Sequence, residues 1–397
     1  MTAINEDVGP VNISKAKAPG WTRLDGVDIL RGLAIFLVLM NHVNMRLFLA
    51  KIPYTQGLPR QLVSALVWNG QCGVQIFFAV SGFLITSTSL RRWGSQLDVN
   101  LRQFYMLRFA RIAPLLFAVL IVLSILHLAG VGNFVVSDQS GGLGRALFAA
   151  LTFHVNVLEA QRGYLPANWD ILWSLSVEEV FYLGFPIICI LFGRGRLLVV
   201  FLLVFVVLGP LARTIFANGN EVWREYSYLG GMDAIALGCL TAMAVSLVEV
   251  SRAKIRLLGG VGAVLMLFCL GFSKTVAAWG LVGSGLDMTI LAIGTCMISA
   301  AAAQTRWTGP RIILPLMKLG QRSYEVYLTH MFVVFALFGL FRSAGQALQI
   351  VPVLFFAGIL VSGVLGELVA RVYSEPMNRL IRRRFGNAAT LRADGGR

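Results

Sequence analysis

Apolar runs of about 17–25 residues recur along this chain from residue 27 onward, separated by short polar or basic stretches. Ten have the length and hydropathy of membrane crossings: 27–49, 68–90, 110–130, 172–193, 195–216, 228–248, 255–273, 278–302, 320–342 and 349–374. An eleventh segment, about 143–157, is shorter and carries Arg145, His154 and Asn156. The pattern predicts an all-α, polytopic transmembrane bundle of about ten spanning helices, with a short external piece that is partly inserted. Small residues recur in the later spans, at Gly280, Gly283 and Gly285 and again at 300–303, where they suit close helix packing.

Composition sharpens this reading. Of the 397 residues, 57% are hydrophobic and 13% charged, with a mean hydropathy of +0.75. A soluble domain carries about 25% charged residues. The net charge of +15 does not point to nucleic acid, because the basic residues fall at span ends and no soluble domain accompanies them. Their distribution instead predicts orientation. If 143–157 does not cross and the N-terminus is cytoplasmic, most of the 34 Lys and Arg residues lie inside. If it did cross, the basic loops at 194–196, 252–256 and 306–322 would fall outside. The expectation is ten crossings, both termini cytoplasmic, and 131–171 external. Residues 1–26 read as a polar cytoplasmic tail, without the apolar core and cleavage site of a signal peptide. Residues 27–376 form the membrane domain, and 377–397 a basic cytoplasmic tail; both tails are expected to be unstructured. The five cysteines have no metal or redox spacing, so no metal and no bound cofactor are expected.

Polar residues inside the apolar runs carry the candidate chemistry. The first span reads Asp28-Ile29-Leu30-Arg31 and reaches His42 eleven residues later. An Arg at mid-bilayer costs roughly 2.5–3.5 kcal/mol on insertion scales, so its presence is a functional signal. At about 100° per residue Arg31 and His42 share one helix face, about 16 Å apart along the axis, and that face must look into a polar cavity. The fourth span brings Trp173 and then Ser174, Glu178 and Tyr182 on a second face at i, i+4, i+8. Counting from the outer side places Glu178 at a depth similar to His42. A carboxylate beside an imidazole is a general-base arrangement. Ser81, next to Gly82 in the second span, is a candidate nucleophile or hydrogen-bond donor. Arg108 and Arg111, at i, i+3 on a helix entering the membrane, suit a phosphorylated ligand. Ser323, Tyr327 and His330 share a face of the ninth span. Glu375 reads as a helix-end contact, and His127 and His154 as structural or external groups.

Taken together, these strings resemble the membrane acyltransferase family 3, over nearly the whole chain from Asp28 to Pro376. The matching elements are Arg31 and His42 with ten residues between them and Phe77 to Ile85. Arg108 to Pro114, Trp173 to Tyr182, Leu319 to His330 and Glu375-Pro376 complete the set. Two departures stand out: Glu179 occupies a variable position beside Glu178, and no Arg adjoins Asp233 at the start of the sixth span. The resemblance implies a bacterial inner-membrane enzyme, of the type without a fused periplasmic hydrolase-like domain. Such an enzyme moves an acyl group, usually acetyl, from cytoplasmic acyl-CoA to an extracytoplasmic carbohydrate or glycolipid hydroxyl. It makes His42 essential and gives Arg31 a part in donor binding.

On this reading His42, oriented by Glu178, removes the acceptor proton, and Arg31 or Ser81 offsets the oxyanion charge. A variant passes through an acyl-enzyme on His42 or Ser81. A proton-coupled exporter or flippase would also place His, Arg and Glu in a bundle as a relay. It lacks the paired, broken helices expected of such folds. A sensor of envelope synthesis is a third reading.

Overall fold

The computed structural model describes residues 24–193, 196–305 and 307–394, with side chains as far as 385. The polar tail expected over 1–26 therefore lies, but for its last three residues, outside the described residues. In chain order the helices are α1 (Asp25–Leu49), α2 (Arg60–Val67), α3 (Gly70–Trp93), α4 (Leu101–Leu128), α5 (Gly142–Leu151) and α6 (Val155–Arg162). There follow α7 (Leu172–Phe192), α8 (Leu197–Arg213), α9 (Glu221–Tyr226), α10 (Tyr228–Leu247), α11 (Arg252–Gly271) and α12 (Ser273–Ala278). The last are α13 (Leu286–Thr305), α14 (Leu314–Gln321), α15 (Ser323–Ser343), α16 (Val351–Val369) and α17 (Glu375–Asp394). Among the described residues there is no strand.

Nine helical stretches among the described residues are long and apolar enough to cross a membrane. They contain α1, α3, α4, α7, α10, α11, α13, α15 and α16. The tenth expected span is α8, whose 17 residues extend about 25 Å, at the short limit of a crossing. Its contacts give it the direction of a span. Phe201 near its start stacks on Phe192, beside Leu97, while Arg213 at its end donates to Gly285 O. The ten helices thus alternate between two ends. One end holds Asp25, Arg92 and Arg382. At the other, Asn69 donates to Leu270 O and Asn156 to Tyr226 O. The 131–171 segment belongs to this second end. Its α5, about 15 Å long, covers half a hydrocarbon core. It buries Ala146, Ala149 and Ala150 and leaves Phe148 and Leu151 exposed.

The expected unstructured basic tail is corrected at its near end. A π-helical turn over Ala370–Ser374 leads directly into α17. Arg322 pairs with both Glu367 and Glu375, and Tyr373 OH donates to Pro114 O, so the junction is tied to α4, α15 and α16. Pro376 lies just past the π-helical turn, in the first turn of α17. Glu375 is the helix-end contact read from the sequence.

Two features set the positions of the functional helices. The first is the contact of α3 with α10. A Cβ on Gly82 would lie 1.9 Å from Ile235 O, and one on Gly238 would lie 2.1 Å from Ala79 O. Only glycine at both places lets these backbones touch. Gly82→Ala is therefore expected to push α3 off α10 and cost about 1–3 kcal/mol. The check is the Tm of the detergent-purified protein, and an unchanged Tm would mean that the backbones are further apart than described. The second is a buried ion cluster. Asp233, fully buried in α10, accepts from Arg213 of α8 (2.7 Å), Thr289 of α13 (2.7 Å) and Gln75 of α3 (3.0 Å). The arginine absent from the sequence beside Asp233 comes instead from the preceding span.

Candidate active site

A cavity of about 530 Å³ opens at the end where Arg92 and Arg382 are exposed. It lies between α1, α3, α4, α7, α15 and α17. Thirteen sequence candidates can be placed against it. Asp28, Arg31, Ser81, Arg108, Arg111, Ser174, Glu178, Tyr182, Ser323 and Tyr327 line it. His42, Trp173 and His330 do not.

Its middle is built around Glu178, which with Ser174 and Tyr182 presents the predicted face of α7. Glu178 Oε1 accepts from Ser81 Oγ (2.6 Å), Tyr182 OH (2.6 Å) and Arg108 Nη2 (3.4 Å). The Arg108 guanidinium lies over the Tyr182 ring, 3.2 Å from its centre, and also donates to Glu179 Oε1 at 3.1 Å. This network has three consequences. Arg108 is neutralised by two carboxylates, so of the predicted Arg108–Arg111 pair only Arg111 keeps its charge for a ligand. Ser81 gives its single hydroxyl proton to Glu178, so it has none for an oxyanion. Glu178 holds three donors in place rather than orienting an imidazole.

Arg31 is half-buried where the cavity narrows. Asp28, Glu178 and Glu325 supply negative charge around it and Arg111 positive charge. Asp28 itself accepts from Gln321 Nε2 at 3.0 Å. Beyond Arg31 the cavity ends on Phe77 and Tyr327, whose rings meet edge to face. The Tyr327 and Ser174 hydroxyls share a hydrogen bond (2.6 Å), and both lie within reach of Ile171 O, at 3.0 and 3.2 Å.

His42 stands on the far side of this wall, and its partner is His330 of α15. His330 Nδ1 lies 2.6 Å from Tyr327 O. A carbonyl only accepts, so Nδ1 carries the proton and the neutral ring presents the Nε2 lone pair. That nitrogen is 3.2 Å from His42 Nδ1, which is also 2.9 Å from Val38 O. His42 Nδ1–H is therefore shared between His330 and Val38 O, and its Nε2 is left as a free base. His330 is fully buried, whereas His42 is half-buried rather than sealed.

The expected level of His42 with Glu178 is thus corrected, and so is the single cavity holding both Arg31 and His42. The reason lies in how α7 begins. The chain before it dips into the bundle: Asn168 donates to Leu328 O, Trp169 is fully buried, and Ala167 takes a left-handed φ of 50°. Ser174 consequently meets Tyr327, one turn short of His330, and Glu178 lies a further turn in. Trp173 is corrected as well. It stacks on Tyr226 at 3.9 Å, meets Phe78 edge to face and packs in the core. Arg92 and Arg382 line the cavity without having been singled out from the sequence, and Glu179, noted there only for its variable position, pairs with Arg108. Near the other end, Glu159 of α6 is fully buried and accepts from Leu165 N at 3.0 Å. Burial, with Asp170 alongside, raises its carboxyl well above the ordinary range.

A family model described as an acyltransferase domain matches residues 24–371. The chain belongs to that acyltransferase family. Among its relatives is the peptidoglycan O-acetyltransferase OatA of Listeria monocytogenes, 26% identical over 324 residues. That alignment covers 77% of this chain and 48% of the relative. A protein of Staphylococcus aureus, provisionally named an O-acetyltransferase, is 22% identical over 387 residues, covering 91% of this chain and 59% of its own. YrhL of Bacillus subtilis, provisionally named a peptidoglycan O-acetyltransferase, is 24% identical over 328 residues, covering 77% and 48%. The acyltransferase chain spans about half the length of the curated relatives it matches. No solved structure matches it. The family match begins just before Asp25 and ends before α17, so it takes in all of the cavity except the part contributed by α17.

Proposed function

We propose that this acyltransferase moves an acetyl group from acetyl-CoA to a hydroxyl of an extracytoplasmic carbohydrate or glycolipid. The donor enters through the arginine-lined cavity from the cytoplasm. The observation that carries this reading is the division of one helix. Arg31 of α1 lies in a cationic cavity open at one end, and His42 of the same helix lies beyond the wall that closes it. A phosphorylated donor and a hydroxyl acceptor need two such places. The names of the relatives favour an acetyl donor and a glycan acceptor. Basic loops favour a cytoplasmic cavity mouth and cytoplasmic termini in a bacterial inner membrane.

In the proposed reaction the pantetheine arm runs from Arg31 towards His42, and the Tyr327 side chain turns aside to let the thioester through. His42 Nε2 takes the proton of the acceptor hydroxyl, and the oxygen attacks the thioester carbonyl. The tetrahedral intermediate collapses with cleavage of the C–S bond. The CoA thiolate leaves and takes the proton back from the His42 imidazolium. Arg31, three turns from His42 along one helix, is too far away to stabilise this oxyanion, so its part is donor binding.

Protein reconstituted with acetyl-CoA and a soluble oligosaccharide is expected to release CoA thiol in step with acetyl ester formation. The exporter reading predicts glycan movement without thiol. Absence of thiol release with acetyl, propionyl and succinyl donors would overturn the proposal.

A further inference from the structure

The cavity mouth has a charge imbalance that the proposed reaction does not use. Five arginines line the cavity and two carboxylates, Asp28 and Glu178, face them. Both carboxylates are engaged, Asp28 by Gln321 and Glu178 by Ser81, Tyr182 and Arg108. At the mouth, Arg92 of α3, Arg111 of α4 and Arg382 of α17 are exposed and lie close enough to repel one another. Among the described residues none of these three is paired with a carboxylate. Like charges gathered around one concave opening destabilise the empty protein and favour a ligand of matching negative charge.

We propose that Arg92, Arg111 and Arg382 form a phosphate-binding mouth that holds the nucleotide end of the donor. Residue Arg382 makes α17 part of the site although the helix lies beyond the family match. The inference rests on the donor reading above. Guanidinium forks bind phosphate oxygens in pairs, which suits a ligand carrying several phosphates. The tie of α17 to the bundle through Glu375–Arg322 and Tyr373–Pro114 gives Arg382 a fixed position. The same arginines would also suit anionic lipid headgroups, and the test separates the two sources.

The full chain is placed in nanodiscs of phosphatidylcholine, free of anionic lipid, and compared with the double variant Arg92→Ala/Arg382→Ala. Two donors are used: acetyl-CoA and acetylpantetheine, which has the same thioester but no phosphate. The double variant is expected to raise KM for acetyl-CoA about tenfold or more, with kcat within about twofold, and to leave acetylpantetheine unaffected. Arg382→Lys, tested alone, keeps the charge but not the paired donors and is expected to recover only part of the affinity that Arg382→Ala loses. Binding of adenosine 3′,5′-bisphosphate, measured by calorimetry, is expected to weaken in parallel. An equal loss with both donors would make the arginines structural and overturn the inference. So would an effect seen only when phosphatidylglycerol is present. If wild type turns over neither thioester but binds the bisphosphate, and the double variant does not, the mouth stands and the donor reading fails. If wild type does not bind the bisphosphate, the mouth fails whatever the turnover.

Discussion

His42→Ala is expected to lower acceptor-dependent thiol release by about 10²–10⁴-fold, the range typical of a lost general base. The argument rests on tautomer geometry. In the neutral ring, hydrogen bonds from His42 Nδ1 to Val38 O and towards His330 leave Nε2 as the nitrogen with the free lone pair. Among the described residues the His330 lone pair is turned to His42 Nδ1, and the carboxylate of Glu178 belongs to another network. The arrangement also separates two kinds of loss. His330→Ala removes the acceptor for His42 Nδ1–H but leaves Val38 O, so a smaller fall, on the order of tenfold, is expected. His330→Gln, whose amide oxygen accepts a hydrogen bond, is expected to recover part of it. Donor affinity, read as adenosine 3′,5′-bisphosphate binding, is expected to be unchanged in all three. Wild-type rates in His42→Ala would remove His42 from the chemistry.

Asp233→Ala carries the largest expected effect on stability. It strips Arg213 of the carboxylate it is ion-paired with while leaving the guanidinium 8% exposed between α8, α10 and α13. Removing one partner of a buried pair typically costs about 3–5 kcal/mol, because the remaining charge is stranded. Thr289 and Gln75 lose an acceptor at the same time. Detergent-purified Asp233→Ala is expected to melt well below wild type or to fail to accumulate. The double variant Arg213→Met/Asp233→Leu removes both charges and is expected to recover most of the loss. If the double variant melts no higher than Asp233→Ala, the pair is not the source of the effect. Measurement of bisphosphate binding on the recovered double variant would show that the cluster acts through packing and not through the donor site.

The bundle was legible in the sequence because the bilayer imposes its own period: a crossing needs some 20 apolar residues, and ten runs of that kind are present. Even α8 is found this way, although it is too short to stand out by length alone. The polar members of the cavity were legible for a related reason. Asp28, Arg31, Ser81, Arg111, Glu178 and Tyr327 interrupt apolar helices, and an interruption in hydrocarbon must face something polar. What the sequence did not yield is which interruptions meet. Helix phase gives a face, but depth depends on where each helix begins. The dip of residues 164–171 into the bundle, closed by the Asn168–Leu328 bond, has no hydropathy signature. It carries Glu178 away from His42 and leaves His330 in its place. Arg92 and Arg382 escaped notice for the opposite reason. At span ends arginine is ordinary, and its meaning here comes from three helices delivering it to one opening. A family resemblance could not help with Arg382, since α17 lies past the matched region.

The wall made by Tyr327, Ser174 and Phe77 also bears on the cell that carries the protein. A water-filled passage lined with guanidinium groups from one leaflet to the other would conduct anions and drain the ion gradients that power the membrane. Ending the cavity at a hydrogen-bonded tyrosine leaves no such passage open among the described residues.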